Sequence, residues 1–158
     1  MVRLDPMTPD EFDAFATHSL PLYADQKVAA GNWTVAEAPQ RAIDEFARLL
    51  PDGARTAGHH LFTIRADDAG EAVGTIWLGI ATEGPPAGYV FDIIIREPHR
   101  RRGYAAAALR ALESEAAQLG LKEIKLHVFG NNPNAQALYA KLGYGVTNVN
   151  MSKRLTRD

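Results

Sequence analysis

The chain has 158 residues, 46% of them hydrophobic and 23% charged, which suits one globular domain with a sizeable core and excludes a disordered segment. Its net charge of −2 excludes a general polyanion binder, so no nucleic-acid partner is expected and the arginines at 100–102 form only a local basic spot. With no cysteine there is no disulfide, no thiolate-held zinc and no acyl-cysteine intermediate; with no signal-like apolar N-terminus and no apolar run near ~18 residues, a cytoplasmic protein without a membrane partner is expected.

Residues 2–7 read as a first strand, ended by Thr8, Pro9, Asp10 and Glu11, which supply an N-cap, an N1 proline and an acidic first turn. The helix that follows carries Phe12, Phe15, Leu20, Leu22, Tyr23 and Val28 on one loose face up to Gly31, and Pro21 is expected to kink or split it. A second helix spans 34–50, with Thr34 as cap, Glu37 three residues on, and Pro51, Asp52 and Gly53 as its stop. The loop at 54–59 has no evident role. Residues 60–66 and 72–81 flank the turn at Asp67, Asp68, Ala69 and Gly70 and read as a hairpin.

Residues 88–96 form a mostly continuous apolar run, as in a strand buried on both faces. An alanine-rich helix at 104–119 ends at Gly120, and a β-branched and aromatic strand follows at 124–129. Residues 132–142 make a helix capped by Asn132, started by Pro133 and ended by Gly143. Residues 144–155 read as a last strand or hairpin. The order is β-αα-ββ-β-α-β-α-β, a single domain over 1–158.

The junction of the 88–96 strand and the 104–119 helix carries chemistry. The N–H groups of Arg101, Arg102, Gly103, Tyr104 and Ala105 would lie unpaired at a helix start, where the macrodipole also favours an anion, and Gly103 would let backbone approach phosphate closely. No Gly-Lys-Ser/Thr follows, which excludes a Walker A loop, and the dinucleotide Gly-x-Gly-x-x-Gly pattern is absent. The residues alone also allow a solvated basic loop.

The spacing Arg100-x-x-Gly103-x-Ala105 resembles the acyl-CoA signature of the GNAT family of N-acetyltransferases, Arg/Gln-x-x-Gly-x-Gly/Ala. Downstream, Asn132, Ala135, Leu138, Tyr139, Gly143 and Tyr144 resemble that family's second cofactor segment, Asn-x-x-Ala-x-x-Leu-Tyr-x-x-x-Gly-Phe/Tyr. One departure is Pro98, displaced by one position from the family's place before the turn, which bears on the fine turn geometry. The resemblance implies an α/β (α+β) GNAT fold, with a central mixed, mostly antiparallel sheet flanked by helices and splayed between the fourth and fifth strands at a bulge. It implies acetyl-CoA as cosubstrate, with the 100–105 turn (Arg100, Arg101, Arg102, Gly103, Tyr104, Ala105) on the pyrophosphate. Free backbone groups of Ile93, Ile94 and Ile95 would pair with the pantetheine amides, and an N–H at or near Ile94 would polarise the thioester carbonyl. Asn132 would reach the pantetheine arm as well as capping its helix. Dimerisation through the final strands is implied too.

Acetyl transfer to an amine needs a neutral nucleophile, a polarised thioester and a proton for the departing thiolate. An amine with pKa ~10.4 is neutral at pH 7 at a cost of ~4.6 kcal/mol, so a base is worth having. Tyr139 matches the family tyrosine that protonates the thiolate; Tyr144 is read as core. His127, with an imidazole suited to proton removal at neutral pH, and Asp92, on the central strand, are both candidates for the base. Glu83 is read as a solvated turn residue, and His59 and His60, without a second cluster, are not read as metal ligands. The expected reaction is direct attack by an amine-bearing acceptor in a ternary complex. The alternative is a non-catalytic acyl-CoA sensor, which would keep the turn and need neither Tyr139 nor a base.

Overall fold

The computed structural model describes residues 1–156. β1 (Val2–Pro6) leads to α1 (Pro9–Ala29), whose first turn is closed reciprocally: Glu11 N–H donates to Thr8 Oγ1 at 3.1 Å and Thr8 N–H to Glu11 Oε1 at 3.0 Å. α1 is not split at Pro21. Pro21 lies on the exposed side of the helix, where the carbonyl it leaves without a donor can be hydrated. α2 (Ala38–Leu49) begins later than expected, because Thr34 and Glu37 spend their mutual side-chain bonds of 3.3 and 3.2 Å on the turn that precedes it.

The hairpin of β2 (His59–Ala66) and β3 (Ala72–Ile80) forms the middle of the sheet, followed by β4 (Ala87–Ile95), α3 (Tyr104–Gln118), the short β5 (Glu123–Leu126) and α4 (Pro133–Lys141). The strands lie in the order β1-β2-β3-β4-β5, antiparallel throughout except for β4 with β5. That parallel pair requires a crossover, and α3 supplies it. The sheet is therefore mixed and mostly antiparallel, as expected. Among the described residues, no helix is long and apolar enough to cross a membrane.

Each face of the sheet has its own core. On one, Ile64, Val73, Ile76, Leu78 and Val90 pack against Ala108, Leu109 and Leu112 of α3. On the other, Leu61 and Trp77 meet Phe15 of α1, with Phe12, Phe46 and Leu49 partly buried around them. Arg65 fastens this layer to the sheet, donating from β2 to Asp5 at 2.9 Å and to Glu11 at 2.6 Å.

Three expectations are corrected. β5 stops at Leu126 rather than 129, because its partner β4 pairs with it only over 87–90. β4 is consequently half-buried beyond Val90 instead of covered on both faces, and the Phe91 side of it is open. The last strand is absent: described residues 145–155 form no strand, and Val146, Val149, Met151 and Leu155 are exposed. Val149, Met151 and Leu155 keep a strand's period of two, but no strand among the described residues pairs with this segment, and an unpaired strand does not form by itself. The strand through which dimerisation was implied is not formed.

Leu109 is fully buried where α3 seats on the sheet. Leu109→Ala is expected to cost about 2–5 kcal/mol, read as a lower denaturant midpoint with an unchanged slope.

Candidate active site

Two pieces of backbone make the site. The first is the turn between β4 and α3. A single 3-10 turn at Glu97–His99 takes in the displaced Pro98, and Arg100 N–H closes it on the Glu97 carbonyl at 3.2 Å. The chain then passes through two left-handed residues, Arg101 at φ 63° and Gly103 at φ 81°. Arg101 pays for that conformation as a side-chain-bearing residue, whereas Gly103 adopts it freely. Among the described residues no backbone carbonyl accepts the N–H groups of 101–106, and the first helical bond from this stretch is Ala107 N–H to the Gly103 carbonyl. Arg100 braces the turn, its Nε donating to the Ile95 carbonyl at 2.9 Å. Arg101 and Arg102 are exposed, and the turn lines a surface pocket of about 530 Å³ that extends to Ile95, Leu138 and Lys141.

The second piece is the outer edge of β4. Trp77 pairs with Asp92 and Leu78 with Val90, so Phe91 is an extra residue in β4, a bulge. Beyond it β4 keeps its bonds to β3 but has none to β5, and residues 93–95 present a bare edge. The expected splay is here, with the bulge two residues ahead of Ile93. This edge joins the turn pocket, which Ile95 lines, to a second cleft of about 620 Å³ lined by Ile93 and Ile94.

That cleft lies between α1 and α2 on one side and β4, α4 and the segment after β5 on the other, and it holds Asp92, His127, Asn132 and Tyr139. Burial pushes the Asp92 carboxyl from 3.8 up to about 6, against the opposing help of the Ile93 N–H. Burial, then the nearby Asp92 charge, raise the Tyr139 hydroxyl, which is therefore a neutral donor. Tyr139 meets Tyr144 edge-on at 5.8 Å; Tyr144 is pushed up to about 12, mainly by burial and then by Glu113, and its hydroxyl has no partner. Asn132 Oδ1 accepts the Ala135 N–H at 3.2 Å, the N-cap role, which leaves its Nδ2 available. His127 is exposed past the end of β5, its ring edge-on to Phe129 at 4.8 Å.

The structure thus brings Tyr139, Asp92, His127 and Asn132 to one cleft and leaves the 100–105 turn at the far end of the β4 edge. Sequence reasoning named no site residue on the opposite wall. Tyr23 of α1 donates its hydroxyl to Glu45 of α2 at 3.1 Å, and both line the cleft with Phe15 and Phe46. Helical periodicity put Phe15 and Tyr23 on one face of their helix, but nothing in it told that this face would meet β4 or that Glu45 would join it.

A family model described as the acetyltransferase (GNAT) family matches residues 21–144. The chain belongs to this family. Its relatives include two Bacillus subtilis proteins, the uncharacterized N-acetyltransferases YycN, 36% identical over 98% of this chain and 99% of the relative, and YdgE, 34% identical over 96% and 97%. The crystal structure of YycN superposes with a TM-score of 0.93 at 35% identity, covering 99% of this chain and 100% of the other. AAC(6')-Iy, solved in complex with the bisubstrate analogue CoA-S-monomethyl-acetylneamine, shares the fold at a TM-score of 0.64 and 16% identity, with 99% of each chain covered. The protein is a GNAT acyltransferase, and its bare β4 edge is the splay expected of that fold.

In this GNAT chain the raised Asp92 carboxyl has a cost. Since it titrates higher in the folded chain than unfolded, the native state binds more protons between pH 3.8 and about 6, and stability falls as pH rises through that window. Asp92→Asn is expected to melt higher than wild type above about pH 7 and at the same temperature below about pH 3.5, compared by thermal denaturation at both.

Proposed function

We propose that the chain is an N-acetyltransferase that moves the acetyl group of acetyl-CoA to a primary amine of a small molecule or peptide, by direct attack in a ternary complex, in the cytoplasm. The observation that carries this reading is the unpaired β4 edge, which links an N–H-rich turn to a cleft holding a carboxylate and a neutral phenol. The names of YycN and YdgE and the analogue bound to AAC(6')-Iy support it.

The parts divide the work. The N–H groups of 101–105, with Arg101 and Arg102 beside them, suit a pyrophosphate. Residues 93–95 offer a strand edge to the pantetheine amides, and an N–H at or near Ile94 polarises the thioester carbonyl. Asn132 reaches the same arm with its Nδ2. Asp92, ionised in most molecules at pH 7 because it titrates at about 6, takes a proton from the acceptor ammonium. The freed amine attacks the carbonyl carbon, the C–S bond breaks, and Tyr139 gives its proton to the sulfur; the second amine proton, shed as the amide forms, returns through water to the tyrosinate, and the proton on Asp92 leaves to solvent. His127, at the solvent side of the cleft, is the other group able to take the first proton. With no cysteine in the chain, the acetyl group has no thiol to rest on.

Acetyl-CoA is expected to raise the melting temperature saturably, and Gly103→Asp, which puts a strained, anionic side chain in the turn, to abolish that rise. Tyr139→Phe should keep the rise and lose about 10²-fold in turnover. A chain that acetyl-CoA stabilises but that acetylates no amine is a binding protein, not a transferase.

In wild type, kcat/KM is expected to climb with pH through about 6 as Asp92 ionises, and this limb should vanish in Asp92→Asn. Its loss in His127→Ala instead would make His127 the base.

A further inference from the structure

The bulge at Phe91 needs somewhere to put the Phe91 ring, and the structure shows how that place is built. The ring stacks on the Trp77 indole with centroids 4.7 Å apart and planes 19° from parallel, and meets Tyr89 edge-on at 4.9 Å. Gly79 supplies the space beneath: a Cβ there would collide with the Phe91 ring and come within 3.2 Å of His59 Cε1. The indole is fixed at its far end, where Trp77 Nε1–H donates to His59 Nδ1 at 3.0 Å, and the His59 ring also lies 5.5 Å from Phe91.

His59 is itself held. It opens β2 directly after the loop whose role the sequence left open, and that loop is closed by His59 N–H on the Thr56 carbonyl at 3.2 Å and by Ile80 N–H on the Gly58 carbonyl at 2.8 Å. Buried Thr56 pins it further, donating to the Gly53 carbonyl at 2.8 Å and accepting from Asp52 N–H at 3.1 Å. The chain of contacts thus runs from the 53–58 loop through His59, Trp77 and Phe91 to the bulge, and Asp92 is the next residue, opposite Trp77 in register.

We propose that His59 is a positioning residue: by accepting the Trp77 indole N–H it locks the Trp77–Phe91 stack and with it the bulge that aims Asp92 into the cleft. The inference rests on the transferase reading for its consequence, but not for its geometry. The bond requires a lone pair on Nδ1, so a proton there breaks it. Burial, and then the neighbouring His60, hold His59 below its usual range, which keeps it neutral and accepting at pH 7. The other ionisable groups on the surrounding elements are Arg55 on the preceding turn, Tyr89 and Asp92 on β4, and Tyr23, Glu45 and Arg48 across the cleft; β3 carries none.

The test uses His59→Leu, which removes the acceptor, and His59→Asn, whose Oδ1 replaces Nδ1. The readout is the carboxyl carbon resonance of Asp92 followed by NMR as pH is varied. Wild type and His59→Asn are expected to titrate at about 6, and His59→Leu to move toward 3.8 as the bulge loosens and Asp92 hydrates. A midpoint unchanged in His59→Leu, or displaced equally in His59→Asn, overturns the proposal. Because His59→Leu could unfold, Trp77 emission in a Trp33→Phe, Asp92→Asn background, which removes the carboxyl that titrates in the same range, gives a second measurement. It should change as pH falls through a midpoint below 6.5 and stay flat in His59→Asn; emission insensitive to pH with His59 present overturns the bond. Neither readout needs turnover, so the transferase reading can fail, by an absence of acetyl-CoA stabilisation and of amine acetylation in wild type, without deciding this one.

Discussion

The constraint on which the site depends is that β4 and β5 pair for four residues and then part. Backbone donors and acceptors in a folded chain are nearly always paired, and a bare strand edge inside a sheet is therefore a standing demand for a partner. Here the demand is created by one extra residue. Phe91 lengthens β4 against β3, turns the strand, and puts Asp92 and the edge of 93–95 where β5 cannot follow. β5 ends early, and Tyr139 of α4 lines the cleft beside Asp92, near enough for the carboxylate charge to raise its hydroxyl. The N–H-rich turn continues from the far end of the same strand, where Arg100 braces it.

Electrostatics then follow from position more than from composition. The chain is slightly acidic overall, yet its turn gathers Arg100, Arg101 and Arg102 at a helix start whose N–H groups already favour an anion. The cleft does the reverse: burial raises Asp92 and Tyr139 together, and the Asp92 charge makes the Tyr139 proton harder still to lose. A carboxylate near 6 and a phenol held neutral are set apart by environment, and the proposed reaction uses the one as base and the other as acid.

Stability and function meet at the aromatic layer under α1 and α2. Phe15, Phe46 and Trp77 contact one another at centroid distances of 5.8 to 6.3 Å and bury one face of the sheet. The same Trp77 carries the bulge residue, so the core that anchors the N-terminal helices also sets the shape of β4. This joins the N-terminal third to the site, although none of its residues belongs to either cofactor motif.

Much of this was legible in the amino-acid sequence, and the reason is locality. Caps at Thr8 and Asn132, the turn glycine at Gly103, the strand periods and the two motifs each concern residues within a few positions of one another, and short-range rules reach that far. A split at Pro21 and a strand at 144–155 were not found because those outcomes are set elsewhere: by which side of α1 faces water, and by whether an edge of the sheet takes up the segment. The meeting of Tyr23 with Glu45, of His59 with Trp77, and of Asp92 with Tyr139 spans tens of residues of chain. The sequence by itself determined the family, the order of the elements as far as α4 and the glycine turn between β4 and α3. Only the tertiary structure decided where β4 leaves β5 and what lines the cleft it opens, because those depend on packing between segments that no local pattern connects.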